Sequence, residues 1–78
     1  MASARDERVR VEIAFDGGAI VGILVAAETA EEIERALAAP TQDVLAVEAD
    51  DGHYTVALRR VLYVKRFARE SRVGFGAG

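Results

Sequence analysis

Six of the ten basic residues lie beyond Leu58: Arg59, Arg60, Lys65, Arg66, Arg69 and Arg72. They are interleaved with Tyr63, Phe67 and Phe75. Cations meet phosphate and rings stack on bases, so this pattern suits single-stranded nucleic acid. The charge is also polarised along the chain. Up to Leu58 there are four basic and twelve acidic residues; beyond it there are six and one, so the two parts carry −8 and +5. Such asymmetry has three readings. One is an anionic partner. Another is self-association, with the basic segment of one copy on the acidic surface of another. The third is a solvated arginine face with no partner.

The other residues with chemical potential are sparser. The only histidine, His53, neighbours Asp50 and Asp51. A His–carboxylate pair is general-base material, but no nucleophile or second ligand stands beside it, and a turn tip is solvated. Glu28, Glu31, Glu32 and Glu34 form an acidic cluster. Magnesium and calcium need oxygens converging from a shaped loop, whereas a helix spreads them. Gly17, Gly18 and Gly22 hint at a phosphate loop, which must lead into a helix; here a strand follows. There is no cysteine, which excludes disulfides and thiolate metal sites. No triad, catalytic carboxylate pair, metal set or cofactor loop assembles. We expect no enzyme, no metal and no cofactor.

The elements that must position these residues read clearly. Val9, Val11, Ile13 and Phe15 alternate with Arg10, Glu12, Ala14 and Asp16, which predicts a strand with one buried face. Asp16-Gly17-Gly18 is a hairpin turn, and Ile20 to Val25 is the second strand. A two-residue turn puts the odd positions of the first strand with Ile20, Gly22 and Leu24. Arg10 and Glu12 then share the other face with Val21, Ile23 and Val25. The second strand is apolar on both faces, so something must cover it. A helix follows, with Thr29 and Glu32 as a capping box, an apolar stripe at Ile33 and Leu37, and a stop at Pro40. We expect the stripe to pack on Val21, Ile23 and Val25. A second hairpin, Asp43–Ala49 and His53–Leu58, turns at Asp51-Gly52. That turn pairs Ala49 with Tyr54, Val47 with Val56 and Leu45 with Leu58. Val61 to Phe67 forms a fifth strand, with Leu62 and Val64 on one face and Val61 and Tyr63 on the other.

The class is therefore α+β, in the order β-β-α-β-β-β: a small, strongly bent antiparallel sheet or barrel with one short helix. The opening VRVEIAFDGGAIVGILV resembles the first two strands of Sm-like and related SH3-like small barrels. The segment VALRRVLYV resembles the tight bend between the last two strands of such barrels. The resemblance implies a small barrel. Its RNA-holding Asp/Asn loops have no counterpart here, and the Sm-like helix precedes the first strand rather than following the second.

The chain has 78 residues, enough for one domain with a marginal core. We expect a flexible arm over 1–8, one domain over 9–67, and a basic then glycine-rich tail over 68–78. Domains this small need a staple; without cysteine, a second copy is the device left. The longest apolar run, Ala19 to Ala27, is far short of the roughly 20 residues of a membrane helix. Arg5, Asp6, Glu7 and Arg8 mix both charges, unlike a signal peptide. No membrane partner and a cytoplasmic location are expected. The single lysine among many arginines is the habit of a GC-rich bacterial genome. The role expected is a non-catalytic interaction module forming a homo-oligomer; the alternative is a nucleic-acid-binding barrel using the basic segment.

Overall fold

The computed structural model describes residues 7–68. Strand β1 (Arg8–Phe15) is followed by a 3-10 turn (Asp16–Gly18), strand β2 (Ile20–Ala26) and helix α1 (Ala27–Ala38). Strands β3 (Val44–Ala49) and β4 (Gly52–Ala57), a second 3-10 turn (Leu58–Arg60) and strand β5 (Val61–Arg66) complete the described chain. The α+β class and the element order are as the sequence implies. The strands do not close into a barrel. They form two antiparallel sheets, one ordered β2-β1-β5 and the other β3-β4.

The first turn sets which face of the larger sheet is buried. Phe15 N–H donates to the Ala19 carbonyl at 2.8 Å, which leaves three residues in the turn rather than two. Gly17 and Gly18 make this possible, with φ of 87° and 98°; side chains rarely adopt such left-handed backbone. The extra residue corrects the expected register. Val9, Val11 and Ile13 stand opposite Val25, Ile23 and Val21, so the odd positions of both strands share one face. A one-residue slip in a strand exchanges its faces. The physical reason lies in the side chains: this register buries branched residues on both strands, whereas the other would set Gly22 in the core.

On that face the core assembles. Val11, Ile13, Ile23 and Val25 join Ala30 and Ile33 of α1, and Val47, Ala49 and Val56 of the smaller sheet, with Leu58 closing the cluster. Ile33 is fully buried and Leu37 lies at the rim of the same cluster, as the apolar stripe implies. The helix begins earlier than expected. Its capping position is Ala26, with φ −66° and ψ 152°, and no side chain caps it. Thr29 is thus inside the helix and does not cap it. Strand β2 runs straight into α1, so packing of Ala30 and Ile33 fixes the start in place of a cap. The end is as expected. Ala39, before Pro40, has φ −145° and ψ 75°, because proline excludes its predecessor from helical geometry.

The second hairpin also differs in register. Val47 faces Tyr54, Leu45 faces Val56 and Ala49 faces Gly52. A type I′ turn centred on Asp51-Gly52 needs positive φ at Asp51, and among the described residues only glycines have positive φ. The turn therefore falls on Asp50-Asp51, with Gly52 at φ 144° entering the strand. The shift is two residues, which keeps the apolar face inward. In β5 the ladder to β1 shifts between Ala14 and Phe15. The bulge breaks the expected alternation: Val61 and Val64 turn inward, while Leu62 and Tyr63 both turn outward.

Ile33 joins helix and both sheets in one cluster. Ile33→Ala should cost about 2–5 kcal/mol of unfolding free energy. Leu37→Ala, at the rim, should cost clearly less, and urea unfolding of the two variants checks the order.

Candidate functional site

The basic residues do not form one patch. Arg59 pairs with Asp43 at 3.2 Å, and Arg60 with Asp16 at 3.2 Å, so the second 3-10 turn is tied both to the segment before β3 and to the first 3-10 turn. Arg66 makes a fork to α1: Nε donates to Glu34 Oε2 at 3.0 Å and Nη2 to Oε1 at 2.7 Å. This planar two-bond geometry is the stronger kind of ion pair. It fastens the last strand to the helix. Arg8 likewise pairs with Asp50 at 3.2 Å. Arg69, Arg72 and Phe75 lie outside the described residues, as do residues 1–6 of the expected arm over 1–8 and residues 69–78 of the expected tail over 68–78; Arg8, at the end of that arm, already belongs to β1.

Lys65 is different. It faces outward on β5, away from α1, and its ammonium lies 4.4 Å from the centroid of the Phe67 ring. Arg10 approaches the same ring at 5.3 Å. The ring's negative face holds both cations. Sequence reasoning missed Arg10, because only the placement of β1 between β2 and β5 brings it to Phe67. Its guanidinium also leans over the other neighbour: a Cβ on Gly22 would meet Arg10 Nη2 at 3.3 Å. The absent side chain leaves room for the arginine. Among the described residues, Arg10, Glu12 and Lys65 have no ion pair of their own.

These residues belong to the outer face of the three-stranded sheet, which reads as three rows across β2, β1 and β5. The ladders place Leu24 beside Arg10, and the Phe67 N–H donates to the Arg10 carbonyl at 2.9 Å. The next row is Gly22, Glu12 and Lys65; the third is Ile20, Ala14 and Tyr63. Large apolar side chains stand open here. Ile20 is 57% exposed, Leu24 42% and Tyr63 48%, and the bulged Leu62 beside Tyr63 reaches 67%. The sequence demanded a cover for both faces of β2; the helix and smaller sheet cover one, and on the other Ile20 and Leu24 are left exposed among the described residues.

Elsewhere, His53 is exposed at the start of β4, with Glu48 across the ladder. Tyr54 donates its hydroxyl to Asp51 at 2.7 Å, which raises the tyrosine pKa and clamps the turn. Among the described residues no cluster of three or more His, Asp or Glu is arranged to hold a metal. None of the described helices is long and apolar enough to cross a membrane. The chain matches no family model, no curated protein and no solved structure.

The Arg66 fork holds the Glu34 carboxyl below its ordinary value, chiefly by the hydrogen bonds it accepts. A carboxyl depressed on folding adds stability at pH above its ordinary 4.5, and that stability is lost as pH falls through the lower folded value. Both partners are partly solvated, so the pair is worth at most about 1 kcal/mol after screening. Arg66→Met should lose that amount at neutral pH and match the wild type once Glu34 is protonated. Urea unfolding over a pH series measures both.

Proposed function

We propose that this chain is a non-catalytic interaction module that self-associates through the outer face of its three-stranded sheet. The carrying observation is the group of exposed large apolar side chains there: Ile20, Leu24 and Tyr63, with Leu62 beside them. Scattered exposed apolar residues are normal, but four large ones on one sheet face mark a candidate contact surface. A strand apolar on both sides is also an aggregation hazard unless covered. The charge distribution supports association by apolar contact. Arg59, Arg60 and Arg66 spend their charge on acids of their own chain.

A second reading has one observation in its favour. Tyr63 and Phe67 lie on the same face as Arg10 and Lys65, and rings beside cations suit single-stranded nucleic acid. The net charge of −3 opposes it, since phosphate chains are drawn by positive surface.

Light scattering across a concentration series should give a mass above that of one chain. The melting temperature should rise with protein concentration, because association stabilises by mass action. The double variant Ile20→Lys, Leu24→Lys should run as a monomer with melting independent of concentration. A wild-type monomer mass at every concentration would remove self-association. Oligonucleotide binding that weakens with salt, with a log–log slope of about −0.7 per phosphate contacted, would put the second reading in its place.

A further inference from the structure

We infer that Asp16-Gly17 is a site of spontaneous aspartate isomerisation in the folded chain, and that the fold protects the identical pair Asp51-Gly52. The inference is independent of self-association.

The chemistry needs only water. The amide nitrogen of the glycine attacks Cγ of the aspartate before it. A C–N bond forms, the bond from Cγ to the carboxyl hydroxyl breaks, and the amide proton leaves with that hydroxyl as water. The product is a five-membered succinimide. Water then opens the ring at one of its two carbonyls. Attack at Cγ restores aspartate. Attack at the main-chain carbonyl leaves isoaspartate, whose main chain runs through the former side chain. Nothing is oxidised or reduced. Glycine favours the first step because no side chain shields its nitrogen.

The two pairs share most of what this reaction requires. Each lies in a turn, and all four residues are exposed. No atom lies within 4 Å of where a Cβ would stand on Gly17 or on Gly52. Each carboxylate also has a partner. Asp16 accepts from Arg60 at 3.2 and 3.4 Å, and Asp51 accepts the Tyr54 hydroxyl at 2.7 Å.

The glycine amides separate them. Gly52 stands opposite Ala49 and closes a two-residue turn. In such a closing pair each N–H is bound to the carbonyl across the ladder. The Gly52 nitrogen is released only when the hairpin opens locally, which is a minor population. Gly17 is the second residue of the 3-10 turn Asp16–Gly18, whose cap is Phe15. Bonds from i to i+3 leave the first N–H groups of such a turn without a partner inside it. The bond from Phe15 N–H to the Ala19 carbonyl spans the turn without using the Gly17 amide. The nucleophile therefore stands at the surface, unbonded, beside its carboxyl.

Isomerisation there adds one main-chain atom to the turn whose length sets the register of β1 and β2. It also moves the carboxylate that faces Arg60.

The test compares the two pairs within one molecule. The full chain is incubated in mildly acidic buffer, folded or in concentrated guanidinium, then cut with trypsin. The pairs fall in separate peptides, 11–35 and 36–59, and isoaspartate is read from peptide retention and from electron-transfer fragments. Unfolded, both pairs should convert at similar rates. Folded, Asp16 should convert severalfold faster than Asp51. Asp16→Glu, which keeps the charge toward Arg60 but lacks the five-membered ring closure, should end conversion in peptide 11–35. The isomerised chain, separated by chromatography, should unfold at lower urea than the unmodified one. Equal rates in the folded chain, a faster Asp51, or conversion at Asp51 alone overturns the inference. An unchanged urea midpoint overturns its consequence for the register.

Discussion

The register between β1 and β2 governs the rest of the molecule. It is fixed by one residue of turn length, and that residue is available because two adjacent glycines, Gly17 and Gly18, accept left-handed backbone. With three residues in the turn, the branched side chains of Val11, Ile13, Ile23 and Val25 fall on one face. That face is the only one on which α1 and the smaller sheet find a continuous apolar surface. The same choice turns Ile20, Gly22 and Leu24 outward. A core and an exposed apolar face are therefore two results of one register.

The ion pairs follow from the core rather than create it. Once β5 lies against β1 and α1 crosses the inner face, Arg66 reaches Glu34. Once the second 3-10 turn folds back, Arg60 reaches Asp16 and Arg59 reaches Asp43. Each of these pairs joins residues on separate elements, and exposed pairs contribute little individually. Their main effect is on the surface potential. Three of the six basic residues beyond Leu58 are paired with acids of the same chain, and Arg10, Glu12 and Lys65 stand on the outer face of the three-stranded sheet without ion pairs among the described residues.

What the sequence reveals and what it hides divide along physical lines. Alternation marks the strands, and the i, i+4 spacing of Ile33 and Leu37 marks the helix and its buried side. Pro40 marks its end, because proline acts on its immediate neighbour. These are local effects. Turn length is harder, since Asp-Gly-Gly supplies glycine for either two or three residues, and only the comparison of both candidate cores decides. Gly22 held that information: a glycine is a poor occupant of a core position flanked by Val11 and Ile13. The bulge at Leu62 and the start of α1 depend on tertiary packing that overrides local signals. The candidate basic set is the least legible. Charge sums cannot reveal that Arg66 turns toward α1 while Lys65 turns away, because adjacent residues of a strand point to opposite faces.

A domain of this size would gain stability if its outer sheet face were covered. Its buried core is a cluster of small and branched residues drawn from both sheets and one helix, with no fully buried aromatic ring among the described residues and no cysteine for a covalent staple. Covering Ile20, Leu24 and Tyr63 would bury the large side chains that the core lacks. Folding and association would then be linked, since a partner that binds only the folded chain stabilises it by mass action. Strand β1 keeps Arg10 and Glu12 between the outward residues of β2 and β5. A purely apolar sheet face would accept many registers and many partners. Alternating Arg10 and Glu12 penalise any arrangement that leaves either one buried and unpaired.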